Sequence, residues 1–149
     1  MVRRILVATD GSETAWKAVN YAAGLAQQTG AAVIALSVID KSLLLTQSIS
    51  AVATPTRLME PVEDYLRQAA EAYIGRAEAL CRKKGLRFTK VIRSGHPADE
   101  IVKEARKSKV DMIVIGSRGR GAMRSAVLGS ITFGVIHRDT RVPVLVVRT

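Results

Sequence analysis

Val110-Asp-Met-Ile-Val-Ile-Gly-Ser-Arg-Gly119 is the stretch on which the fold turns. From Val110 to Ile115 the run is apolar but for Asp111, and it has the length of a strand rather than a helix. Such runs read as strands buried on both faces. The segment ahead of it opens at His96-Pro97, has Asp99 and Glu100 in its first turn, and carries Arg106, Lys107 and Lys109 towards its end. That charge order suits a helix dipole at both termini. Behind it, a helix is predicted from Gly129-Ser130, carrying Ile131, Val135 and Ile136 inward. A strand flanked by helices on both sides is a unit of a parallel sheet.

The alternation extends to both ends of the chain. Arg4-Ile-Leu-Val-Ala-Thr9 reads as a first buried strand ending at Asp10-Gly11. Ser12 is placed to cap a helix whose inward face is Ala15, Val19, Ala22 and Ala26, and Gly30 to end it in the left-handed conformation. Ala32 to Val38 is the second strand. After a long connection from Asp40 to Glu60, Pro61 is predicted to open a helix running to Lys84-Gly85, with Val62, Leu66, Ala69, Tyr73, Ala77 and Leu80 along one face. Gly75 falls inside it with no reason visible in the sequence. Leu86 to Arg93 is a third strand, and Val142 to Val147 the fifth. The expected fold is α/β: one doubly wound domain over residues 1–149, a five-stranded parallel sheet with helices on both faces.

Composition agrees and excludes several classes. The 149 residues are 48% hydrophobic and 24% charged, enough apolar material to bury a core and too little charge for intrinsic disorder. One cysteine, Cys81, supports neither an internal disulfide nor a cysteine-based zinc site. The apolar run behind Met1-Val-Arg-Arg4 is too short for a secretory signal, and no stretch approaches the roughly 20 residues that span a bilayer. A soluble, cytoplasmic protein without a membrane partner is expected. The net charge of +10 gathers in two places: Arg76 to Arg93, and Gly116 to Thr149. The first reads as a solvated basic face, whereas the second overlaps a glycine-rich loop, where an anionic ligand is worth weighing.

Ligands of open α/β sheets bind beyond the C-terminal ends of the strands, where the strand order reverses. The sequence puts Thr9-Asp10-Gly11, Val38 and the segment Gly116 to Thr132 at that rim. Gly116 and Gly119 allow a backbone to approach a ligand closely. Gly129-Ser130 offers the free N–H groups of a helix start, a favoured place for phosphate. Arg118, Arg120 and Arg124 lie between, and one of them is expected to reach a phosphate. Two other nucleotide motifs are absent. No Gly-Lys-Ser/Thr occurs for a Walker A loop, and Asp10-Gly11-Ser12 stands where a dinucleotide fingerprint would need its glycines.

The spacing G-x2-G-x9-G-[ST] formed by Gly116, Gly119 and Gly129-Ser130 resembles the ATP-binding signature of the universal stress protein family. Ile5 to Ser12 resembles that family's opening strand and turn, Val110 to Gly119 its fourth strand and loop, and Pro143 to Val147 its last strand. The resemblance implies a Rossmann-like fold of the adenine nucleotide alpha hydrolase type, with ATP and Mg2+ as cofactors. By the same resemblance, Thr9 and Asp10 would line the ribose–adenine side, and Val38 would hold adenine through its backbone. Gly116, Arg118 and Gly119 would wrap ribose and phosphates, while Gly129, Ser130, Ile131 and Thr132 would take the phosphate chain. Mg2+ would ride on the phosphates, with no metal held directly by protein ligands. A cytoplasmic homodimer in the stress response is implied, rather than an enzyme with a defined reaction.

Other readings find less support in the residues. A receiver domain would need further acids beside Asp10, and Gly11-Ser12 supplies none. Specific nucleic-acid recognition lacks a base-reading motif, and aromatics are only 4%, leaving phosphate-backbone attraction alone. A slow ATPase would use the same site, but no general base is identifiable. His96 and His137 have no partners at metal-ligand spacing, and no Ser-His-Asp set can be assembled. The apolar stretch 142–147 contains Pro143, which suits a sheet edge, and an open apolar edge invites a second copy of the chain. Three roles stay open for the 40–60 connection: ordering over the nucleotide, binding a client, or serving only as a mobile link.

Overall fold

The computed structural model describes residues 1–40, 42, 55–119 (side chains from 61), 128–138 and 141–148. The readings for the 40–60 connection, apart from its two ends and Ser42, and for Arg120 and Arg124 lie outside the described residues.

Among the described residues, nine elements alternate: β1 (Arg4–Ala8), α1 (Glu13–Thr29), β2 (Ala32–Asp40), α2 (Pro55–Lys83), β3 (Phe88–Gly95), α3 (Pro97–Lys107), β4 (Met112–Gly116), α4 (Ser130–His137) and β5 (Val144–Val147). The strands form one sheet in the order β3-β2-β1-β4-β5, and every pairing is parallel. The chain winds outward from β1 to β3 and then returns to build β4 and β5 on the other side. The strand order therefore reverses between β1 and β4, and their C-terminal ends flank the crevice that such a reversal creates.

Strand residues alternate between two cores, because successive side chains leave opposite faces of a pleated strand. Ile5, Val7, Val33, Ala35 and Val114 pack with α1 and α2, whereas Leu6, Ile34, Leu36, Ile113 and Ile115 pack with α3 and α4. Helix α1 buries Ala15, Ala18, Val19, Ala22, Ala23 and Ala26, and these small side chains let it lie close against the sheet. Its ends are as the residues predict. Ser12 Oγ accepts from Ala15 N at 3.2 Å, and Gly30, at φ 76°, donates its N–H to Ala26 O.

Three details differ from the sequence expectation. Helix α2 starts at Pro55, so Pro61 lies inside it and forfeits one backbone hydrogen bond instead of opening the helix. Its buried line is Ala70, Ile74, Ala77 and Cys81, while Leu66, Ala69, Tyr73 and Leu80 flank that line half-buried. Ile136 does not face inward. Helix α4 buries Thr132 and Val135, and Ile136, one position further round, is left 43% exposed.

Candidate functional site

The floor of the crevice is set by backbone hydrogen bonds. Thr9 N donates to Leu36 O at 2.9 Å, carrying the β1–β2 ladder one residue past the strand. The chain then turns through Asp10-Gly11. Asp10 Oδ1 accepts from Ser12 N at 2.9 Å, and Thr9 Oγ1 accepts from Gly11 N at 3.3 Å. Gly11 is left-handed, at φ 78°, and the Tyr73 ring of α2 occupies the space a β-carbon there would need. A residue far along the chain thus packs the turn that carries Asp10.

Val38 enters the site through its main chain. Val33 N donates to Arg87 O on the β3 side, whereas Leu36 O accepts from Thr9 on the β1 side. Peptide groups alternate along a parallel strand, so Val38 has the parity of Leu36. Its N–H and C=O face the side where β1 has already ended at Ala8. Its side chain packs against the α3–α4 core.

The opposite wall is the end of β4. Gly116 lies against Thr14 in the first turn of α1, where an added β-carbon would come 2.8 Å from Thr14 Cγ2. Ser117 is 2% exposed and is bonded on both sides: its N–H donates to Val147 O at 2.8 Å, and its C=O accepts from Gly129 N at 2.6 Å. Thr132 Oγ1, buried, donates to Gly116 O at 2.7 Å. Two hydrogen bonds therefore fasten the start of α4 to the strand end.

That helix start is bare. Gly129 is the N-cap residue, at φ −69° and ψ 160°, and it has no side chain to cover the first-turn N–H groups. Those groups have no partner within the helix. A β-carbon at Gly129 would lie 3.3 Å from both Arg118 Cα and Gly119 N, so the helix start rests directly on the loop backbone. Arg118, whose backbone this helix start touches, has a buried Nε that is, among the described residues, the side-chain nitrogen or oxygen left without a hydrogen-bond partner. A buried unsatisfied donor costs about 1–3 kcal/mol.

Of the residues singled out in the sequence, Thr9, Asp10, Gly116, Arg118, Gly119 and Gly129 converge at the ends of β1 and β4, and Val38 borders them on β2. Ser130 is exposed at the helix start. Ile131 packs its side chain on the core and brings only its N–H to the rim, and the Thr132 hydroxyl is engaged with Gly116. Ser117, Thr14 and Tyr73 were not anticipated. Ser117 sits within the glycine motif and could have been found there. Thr14 and Tyr73 act through tertiary contacts that no local pattern signals.

The model of the universal stress protein family matches residues 1–148. Universal stress protein YxiE from Bacillus subtilis is 30% identical over 149 residues, which cover 99% of this chain and all of that one. Universal stress protein MJ0577 from Methanocaldococcus jannaschii is 31% identical over 156 residues. Its solved structure superposes with a TM-score of 0.85, covering 100% of this chain and 97% of that one. A universal stress protein from Archaeoglobus fulgidus, solved in complex with dAMP, shares the fold at a TM-score of 0.68 and 20% identity, with 99% and 98% of the two chains covered.

Proposed function

The chain belongs to the universal stress protein family, and from that premise we propose that it binds ATP with Mg2+ in the crevice between β1 and β4, as a nucleotide-responsive regulatory module rather than a turnover enzyme. The observation that carries this reading is the buried, unpartnered Nε of Arg118, a residue whose backbone lies against the bare start of α4. An anion bound at that helix start would supply an acceptor for such a donor. The glycine spacing supports a triphosphate in particular, since it matches the ATP-binding signature of the family.

In this reading Gly116, Arg118, Gly119, Gly129 and Ser130 hold the phosphates and ribose, joined by the N–H groups of Ile131 and Thr132. Asp10 and Thr9 border the ribose–adenine side, and Val38 meets adenine through its peptide groups. Mg2+ is held by the phosphates. The adenine nucleotide in the Archaeoglobus fulgidus protein is consistent with this use of the fold.

The same reading includes a homodimer formed through residues 142–147. Strand β5 lies at the sheet edge with β4 as its one neighbour, and all four of its residues are half-buried. An apolar edge in that state is a template for a second copy, paired by two-fold symmetry. A 16.1 kDa species at every concentration in sedimentation would exclude the dimer.

Calorimetric titration with Mg-ATP tests the site. Binding is expected in the natural chain and is expected to be lost in Gly129→Val, whose branched side chain would press on the Arg118 and Gly119 backbone. Equal affinity in the two proteins would remove the assignment. Prompt phosphate release in a single-turnover assay would make the protein an enzyme instead.

A further inference from the structure

A cavity of about 560 Å3 lies at the other end of the sheet, where the strands begin. Arg3 and Arg4 line it at the start of β1, Arg87 ahead of β3, and Lys109 and Asp111 between α3 and β4. None of these residues takes part in the crevice at the strand C-termini. We propose that this cavity is a second binding site, for a compact, multiply charged phosphate anion, a short phosphate chain being its simplest form.

The charge balance favours an anion. Among the described residues, four cationic side chains line the cavity against one acid, Asp111. The C-terminal ends of α1 and α3 also point here and contribute about −1 between them. A net charge of about +2 remains. The carboxylate is already engaged: Asp111 Oδ2 accepts from Arg3 N at 2.7 Å and from Arg4 N at 3.0 Å. Arg4 Nη1 donates to Ser108 O and Arg87 Nη2 to Gly30 O, both at 3.1 Å, so each guanidinium is positioned by one of its five N–H donors. Among the described residues, none of the four cations has an ion-pair partner within 4.0 Å.

Lys109 supplies a second, independent argument. Helix α3 ends with Val110 N donating to Ala105 O and Lys109 N to Arg106 O. Helix α2 ends with the same pair of bonds, from Leu86 to Cys81 and from Gly85 to Arg82. In this motif the turning residue is left-handed and is usually glycine. Gly85 has φ 70° there, whereas α3 uses Lys109 at φ 50°, the one non-glycine residue with positive φ among the described residues. A lysine is thus held in strained backbone at the lip of a cationic cavity, where glycine would serve the fold better. In this proposal the lysine is retained there for its charge, at the cost of that strain.

The dimensions and lining favour a small anion over a nucleic acid. The volume falls within the roughly 300–1,000 Å3 of small-ligand sites. Among the described residues, no aromatic side chain lines the cavity to stack a base.

The test is calorimetry with sodium tripolyphosphate at physiological salt, using the full chain, Gly129→Val and, in the Gly129→Val background that removes the crevice, Lys109→Gly and the Arg3→Ala/Lys109→Gly pair. Binding to the natural chain should persist in Gly129→Val, which separates this site from the crevice. Each cation removed should weaken binding by about tenfold, as for a charge-assisted hydrogen bond. Lys109→Gly should also raise the thermal midpoint, so weaker binding could not be blamed on a damaged fold. The proposal is overturned by no binding to the natural chain, by loss in Gly129→Val, or by undiminished affinity in the double variant. Duplex DNA binding that tripolyphosphate does not compete away would overturn it as well, and would assign this end of the molecule to nucleic acid.

Discussion

A β-carbon on Gly119 would stand 2.8 Å from Oδ2 of Asp10, closer than two such atoms can rest. The loop after the fourth strand and the turn after the first therefore meet at one carboxylate, whose other oxygen is held by Ser12 N. Gly119→Ala should turn the Asp10 side chain away. The displaced atom is the end of a side chain rather than backbone, so the stability cost should stay under about 1 kcal/mol. Mg-ATP affinity should fall by about tenfold or more, as expected when one well-placed polar contact is lost. Calorimetry alongside urea unfolding checks both halves, and unchanged affinity would separate Asp10 from the nucleotide.

Gly75 sits in the interior of α2, and an added β-carbon would meet nothing within 4 Å. Its φ is not in the region that favours glycine. Gly75→Ala should therefore stabilise the protein by about 0.5–1 kcal/mol, by lowering the entropy of the unfolded chain and raising helix propensity. Chemical denaturation would show a higher midpoint at an unchanged slope. A lower midpoint would mean that this face of α2 has a partner.

Asp111 provides a pH signature. The N–H groups of Arg3 and then Arg4 hold its carboxyl below the usual carboxylate value of 3.8. A carboxylate depressed in the folded state contributes stability above its unfolded value and loses it as the pH falls through the folded one. The group is half-buried and its hydrogen bonds lie at the surface, so its contribution at neutral pH is small, about 0.5 kcal/mol after solvent screening. Asp111→Asn should lower stability by that amount between neutrality and about pH 4, with the gap closing in stronger acid. Thermal unfolding across pH 2–7 measures it, and a gap that widened in acid would refute the assignment.

The residues that announced themselves did so through local chemistry. Ser12 and Gly30 bracket α1 because a hydroxyl can cap an open amide and a glycine can turn left-handed, and both effects act within a few residues. Strands β1, β2 and β4 stood out because a sheet covered on both faces calls for near-continuous apolar runs, whereas the edge strand β3, with Thr89, Lys90 and Arg93, alternates only in part. Glycines 116, 119 and 129 were legible for a related reason: bare backbone serves a close approach, and their spacing matched a family signature. Packing decided what local pattern left open. Helix α2 has more apolar positions than one contact line can bury, and the sheet chose Ala70, Ile74, Ala77 and Cys81 from that wide stripe. Ile136 has the composition of a core residue, but α4 is too short to bury more than its two innermost side chains. Tyr73 on Gly11 and Thr14 beside Gly116 are contacts between distant segments, invisible until the chain has folded.

Ser117 has its own consequence. Its amide grips the final strand at Val147 while its carbonyl grips Gly129, so one residue buckles the outermost strand to the opening of the last helix. Any tug on that helix is passed to the margin of the sheet across only two links, and the two cannot shift independently while this clasp stays shut.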